Sequence, residues 1–228
     1  MTLMLLSIAR EHSSRVPNKM LRPLGDTCLF RLLIEKFEEI CKRRNPFDYI
    51  AIALSKKDKT LWDMAKSYNI EIEERNDVSV SQGDLLLSQT HHYLKDIPVD
   101  DVMFVNGCFP FLTIDTITNA AALFKEYEVI KSMTAVKKRY TWFWDIISKP
   151  INNRDPRCVS TKHSLPLLES VHCFHIFNRI HLLETDSYWN LKPPFDPFLY
   201  VLPESTEFLD VDTEYDFKLC EAIKKIGG

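Results

Sequence analysis

Short apolar runs alternate with longer amphipathic stretches along most of this chain, and that rhythm restricts the fold more than any other feature. Leu3 to Ile8, Tyr49 to Leu54 and Val102 to Val105 read as buried strands. Shorter strands are predicted at Ile70 to Ile72, Met133 to Val136, Cys173 to Phe177 and Phe208 to Asp212. Between them, Leu29 to Arg44 places Leu29, Leu32, Leu33, Phe37, Ile40 and Cys41 at helical spacing, with Asp26 or Thr27 positioned to cap the start. Lys59 to Tyr68, Asp84 to Leu94, Ile114 to Tyr127 and Glu214 to Ile226 read as further helices. Lys224 and Lys225 favour the C-terminal dipole of the last one, and Gly227–Gly228 ends it. A β-α-β-α order predicts an α/β domain: a mostly parallel central sheet with helices on both faces. Right-handed crossovers then bring the C-terminal ends of the strands to one edge, where ligands bind.

Composition narrows the class. With 228 residues, 45% of them hydrophobic, the chain suits one domain with a substantial core, 1–228, with a looser segment at 138–200. The formal charge of −3 argues against nucleic-acid binding through a broadly basic surface. No apolar run approaches the roughly 18 residues of a membrane span, so no membrane partner is expected. The opening MTLMLLSIAR reads as a first strand rather than a signal peptide. Six cysteines with no C-x-x-C pair imply reduced thiols and a cytoplasmic setting.

Two segments carry chemistry. Residues 9–21, AREHSSRVPNKML, follow the first strand, and with the adjacent Arg22 they hold four cations against the single carboxylate of Glu11. Cations, hydroxyls and backbone N–H groups gathered there form what a polyphosphate site requires. A solvated basic loop would have the same composition. Near the other end, FLDVDTEYD places Asp210 and Asp212 two apart on the predicted strand, both on one face. Two carboxylates so placed make a hard oxygen site for Mg²⁺, although they could also merely flank a helix start. Thr213 begins that helix, with Asp216 as its partner in a capping box.

The first segment resembles the opening signature A-R-x-x-S-x-R-x-P-x-K-x-L-x-x-L of the cytidylyltransferases that activate acidic sugars. Ala9, Arg10, Ser13, Arg15, Pro17, Lys19, Leu21 and Leu24 fit it. Its Arg-x-Pro spacing is most similar to the 3-deoxy-manno-octulosonate type and its relatives in polysaccharide biosynthesis. Asp210, Asp212, Thr213 and Asp216 match D-[IV]-D-T-x-x-D, a closing motif of the acylneuraminate type. The resemblance implies a Rossmann-like nucleotidyltransferase fold. It implies transfer of CMP from CTP to a 2-keto, sialic-acid-like sugar with release of pyrophosphate, in a homodimer using Mg²⁺. Arg10, Lys19 and Asp212 would then be catalytic. Arg10, Ser13, Arg15, Lys19, Ser81 and Asn106 would bind the nucleotide, Asp210 and Asp212 the metal, and Asn106 and Lys162 the sugar.

Departures from the family pattern are equally specific. Glu11 and His12 replace two glycines of the acylneuraminate type, and Glu11 is expected to point away from the phosphates. Cys108 stands where the relatives carry Thr or a metal-binding Asp, and is read as a small buried residue. Ser81 and Gln82 replace a Ser-Asp step. Lys162 keeps a cation where an Arg is usual, without its bidentate fork. A non-catalytic nucleotide-binding relative and a D-x-D glycosyltransferase stay open as alternatives. His172 and His175, on a regular strand, would face opposite ways and could not share zinc. Trp142, Phe143 and Trp144 read as core or as a contact between subunits.

Overall fold

The computed structural model describes residues 1–81, 85–152, 157, 160–203 and 206–227. In chain order its main elements are β1 (Leu3–Ile8), α1 (Leu29–Lys42), β2 (Tyr49–Leu54), α2 (Lys59–Ala65), β3 (Glu71–Glu74), α3 (Leu87–Thr90) and β4 (Asp101–Val105). There follow α4 (Ile114–Glu126), β5 (Met133–Arg139), β6 (Leu167–Asn178), α5 (Arg179–Thr185), β7 (Phe198–Val201) and α6 (Glu214–Gly227).

The strands form one sheet in the order β3-β2-β1-β4-β6-β5-β7. Neighbours run parallel except at β6, which is antiparallel to both β4 and β5. β1 shows why the sheet is covered on both faces. Leu3 and Leu5 pack into a core with α1, α2, α4 and α6, while Met4 and Leu6 pack into a second core with Leu94, Ile97 and Leu182. The larger core rests on α1, whose Leu29, Phe30, Leu33, Ile34, Phe37 and Ile40 are buried on one stripe. Each such side chain contributes roughly 1.5–3 kcal/mol by leaving water. At the C-terminal end of α1 the Asn45 amide donates to the Ile40 carbonyl at 2.9 Å.

Several elements depart from expectation. Cys28, not Asp26 or Thr27, precedes α1, and no side chain caps it. The helix expected from Asp84 is a single turn, α3, followed by a 3-10 turn at His92–Asp96. Asp84 itself lies outside the described residues. The strand expected at Phe208 to Asp212 is absent: Thr206–Phe208 is a 3-10 turn and the next residues run irregularly into α6. Their apolar residues are spent differently: Val211 is fully buried, and its N–H donates to the Cys108 carbonyl at 3.0 Å rather than to a sheet ladder.

β6 is longer than predicted and bulged. The register steps from Val136–Ser170 to Thr134–His175, and the adjacent Cys173 and Phe174 both enter the larger core. Strand parity therefore fails, and His172 and His175 meet after all, with Nδ1 of the first 3.2 Å from Nε2 of the second. Two imidazoles do not make a zinc site, and no group of three metal-ligating side chains occurs among the described residues.

Candidate functional site

β1, β2 and β4 run parallel and end together, at Ile8, Leu54 and Val105. The loop after β1 is anchored through its apolar members: Ala9, Val16, Met20 and Leu24 are buried in the larger core. The Ala9 N–H reaches the Ala53 carbonyl at 3.4 Å. Asn18 adopts a left-handed conformation, φ 54°, which Asn tolerates better than most residues, and its carbonyl accepts from the N–H groups of Leu21 and Arg22. That turn drives Lys19 inward, where it is only 8% exposed.

Lys19 Nζ donates to the Val211 carbonyl at 2.7 Å and lies 3.6 Å from Asp212 Oδ1. Arg15 Nη1 donates to Asp212 Oδ2 at 2.7 Å. Arg22 makes a two-pronged pair with Glu214, at 2.6 and 2.8 Å, with its guanidinium 4.2 Å from the centre of the Phe217 ring. Residues almost 200 positions apart are thereby joined in one cluster of opposed charges.

Asp216 is not free to join the carboxylate pair, because it caps α6. Its Oδ2 accepts from the N–H groups of Asp212 and Thr213 and from the Thr213 hydroxyl, at 3.2, 2.7 and 2.7 Å. Those bonds hold its carboxyl below the ordinary range. Asp210 is the contrary case. Burial first, and the charge of Asp212 second, push its carboxyl up to about 6, although Lys19 and Arg15 pull the other way. Its Oδ1 is buried without a hydrogen-bond partner. A carboxylate pair with one orphaned oxygen suits a hard divalent cation that takes its remaining ligands from water and phosphate, so the residues present fit Mg²⁺.

Cys108 lies against this cluster, within the fields of Lys19, Asp210 and Asp212, and burial pushes its thiol up, away from nucleophilic character. Gly107 beside it is tightly enclosed: a Cβ there would stand 3.0 Å from Leu33 Cδ2 and 3.1 Å from Met20 Cε. A larger residue there would require the Leu33 and Met20 side chains to give way.

The other residues singled out in the sequence divide. Arg10 is exposed and Ser13 half-buried in the loop after β1. The Asn106 side-chain carbonyl is turned back to accept the Cys108 N–H at 3.0 Å, which fixes the loop after β4. The Ser81 hydroxyl donates to the Val78 carbonyl at 2.9 Å in a separate turn. Lys162 is exposed on a 3-10 turn before β6. Among the described residues no bond joins Ser81 or Lys162 to Asp210 or Asp212. Gln82 lies outside the described residues.

One cation escaped sequence reading. Arg75 follows β3 directly, its N–H bonded to the Leu54 carbonyl at 2.8 Å. Its guanidinium is held below its ordinary pKa chiefly by burial, against the opposing pull of Tyr93 and Asp58. Nη2 donates to the Ser79 carbonyl while Nε is buried without a partner. The available signal was positional: Arg75 is the first residue past a parallel strand at the edge where ligands bind.

No protein-family model matches this chain, and no curated protein matches it. Solved structures do. A CMP:2-keto-3-deoxy-manno-octonic acid synthetase complexed with CTP superposes with a TM-score of 0.71 over 100% of both chains, at 10% identity. The 4-diphosphocytidyl-2C-methyl-D-erythritol synthase of Anaerococcus prevotii gives 0.64 over 98% of each chain, at 13% identity. A cytidylyltransferase from Leptospira borgpetersenii gives 0.61 at 15% identity, covering 99% of this chain and 87% of its own. The chain has the α/β nucleotidyltransferase fold of these solved cytidylyltransferases.

Proposed function

We propose that this protein is a cytidylyltransferase that transfers CMP from CTP to an acidic 2-keto sugar and releases pyrophosphate. The observation that carries the reading is the convergence of Arg15 and Lys19 with Asp212 at the C-terminal edge of the parallel strands, beside the half-buried Asp210. A site holding cations for a polyphosphate and carboxylates for its metal is the equipment for phosphoryl transfer. The shared fold with a synthetase complexed with CTP supports CTP as the nucleotide. The acidic sugar rests on the motif resemblance of both chain ends. The 4-diphosphocytidyl-2C-methyl-D-erythritol synthase has the same fold, so the fold leaves the acceptor to be fixed by experiment.

In this reading Arg10, Arg15 and Lys19 bind the triphosphate, with Arg75, at the end of β3 beside Leu54, as a further cation. Arg15 exchanges its bond to Asp212 for one to phosphate. Lys19 is held rigidly by the Val211 carbonyl, so it meets developing charge on the phosphates with little reorganisation. Asp210 and Asp212 would hold Mg²⁺, which would offset phosphate charge and polarise the reacting phosphoryl group. The acceptor hydroxyl forms its bond to the α-phosphorus as the bond to pyrophosphate breaks, and its proton is released to water. Ser13 and Ser81 are assigned to the nucleotide, and Asn106 and Lys162 to nucleotide or sugar. Exposed Trp144, Ile146, Ile147 and Ile151 on the hairpin closed by the Trp144–Pro150 bridge support a homodimer.

The test is CTP-dependent pyrophosphate release across a panel of 2-keto acidic sugars with Mg²⁺. Release requiring one sugar and lost in Asp212→Ala supports the reading. CTP binding with no release for any sugar shifts it to the non-catalytic relative.

A further inference from the structure

A carboxylate directly after Arg10 is an awkward neighbour for a triphosphate, yet the structure gives Glu11 other work. Its Oε1 accepts from the N–H groups of Thr60 and Leu61 at 2.5 and 3.2 Å, two of the orphan donors in the first turn of α2. Asp58, which precedes α2, does not cap its own helix. Its Oδ1 instead accepts the backbone N–H of Glu11 at 3.1 Å. The two acids have exchanged duties: the loop residue caps the helix, and the helix-start residue holds the loop. One residue earlier, the Ala9 N–H is bonded to the Ala53 carbonyl on β2. Arg10 sits between these attachments. α2 is itself immobilised, because Leu61 and Ala65 are buried in the larger core.

We propose that Glu11 is a positioning residue for the nucleotide site, its clasp with Asp58 and α2 fixing the backbone on both sides of Arg10 so that the guanidinium is presented to the triphosphate. This deepens the cytidylyltransferase reading and rests on it. Where a glycine would let the backbone approach phosphate at an entropic cost, Glu11 fixes the loop before ligand arrives and keeps its charge turned toward backbone N–H groups.

The experiment compares Glu11→Ala, Glu11→Gln and the parent, with Thr113→Ala as a control. Thr113 caps α4, its hydroxyl accepting the Thr116 N–H at 3.1 Å, and has no part in the nucleotide site. Three readouts are needed: CTP binding by calorimetry without acceptor, KM and kcat for CTP, and hydrogen exchange at Thr60 and Leu61. Glu11→Ala is expected to weaken CTP binding about tenfold and to raise KM far more than it lowers kcat. It should also deprotect both amides. Glu11→Gln keeps an acceptor at Oε1 and should stay within about threefold of the parent. Thr113→Ala should lose a similar amount of stability with CTP binding unchanged.

Unchanged CTP binding or unchanged amide protection in Glu11→Ala overturns the proposal. So does an equal loss of affinity in Thr113→Ala, which would make the effect one of general stability. A parent that binds no CTP overturns the functional reading and this proposal together, whereas parent binding with an unaffected Glu11→Ala overturns this proposal alone.

Discussion

Asp210→Asn should make the metal-free protein more stable at alkaline pH while abolishing its activity. The parent protein holds the Asp210 carboxyl at about 6 instead of 3.8, mainly because burial disfavours the ionised form. Tenfold in acidity is worth about 1.4 kcal/mol, so this displacement corresponds to about 3 kcal/mol against the ionised native state. The side chain is only partly buried, and solvent screening reduces the figure to about 1–2 kcal/mol. The sign follows from linkage. A carboxyl whose native pKa lies above its unfolded value contributes stability that is complete below the unfolded value and is lost as pH rises through the native one. The loss therefore falls between 3.8 and about 6, and is complete above that range. Asparagine carries no charge to lose. In EDTA at pH 8, Asp210→Asn should melt above the parent by roughly 2–8 °C for a chain of this size. The gain should shrink to nothing as the pH approaches 4. A variant no more stable than the parent at pH 8, or one with the same advantage at both pH values, would refute the claim that this carboxylate is held at the expense of stability.

Further outcomes follow from the same geometry. Lys19→Ala should lower CTP turnover about a hundredfold or more with the circular-dichroism spectrum unchanged, since Lys19 joins Val211 and Asp212 without being part of a packed apolar core. Phe37→Ala, in the middle of the buried stripe of α1, should cost about 3–5 kcal/mol in denaturant unfolding. His91 is buried against Phe104, Phe177 and Tyr188, and burial pulls its imidazole down to about 3. Its neutral form therefore stabilises the fold above 6.5, and that contribution is lost as pH falls from 6.5 toward 3. His91→Phe should flatten the decline of stability between pH 7 and pH 4 in urea titrations, and an unaltered decline would place the acid sensitivity elsewhere.

The alternation of apolar runs was sufficient to place β1, β2 and β4 and the long helices α1 and α4, because each buries a face whose period survives in the sequence. It failed where tertiary contacts replace periodicity. Val211 looks like a strand residue, but its hydrogen bonds go to Cys108 and Lys19. His172 and His175 have the wrong parity for contact until the bulge in β6 brings them together. Of the charged cluster that the structure brings together, Arg15, Lys19, Asp210 and Asp212 stand out in the sequence because their charges lie in two short segments. The sequence does not mark Arg75, a single cation whose significance depends on which strand ends beside it, nor the role of Glu11, whose partners lie 49 and 50 residues away. Asn106 has a structural role that the sequence does not announce: its side-chain carbonyl accepts the Cys108 N–H and fixes the loop after β4.

The most direct test of the central claim is pyrophosphate release from CTP and Mg²⁺ with each of a set of 2-keto acidic sugars, run beside Asp212→Ala. Release is expected with one sugar, none without it, and none in the variant. Absence of release with every sugar, in a folded protein that also fails to bind CTP, would contradict the claim.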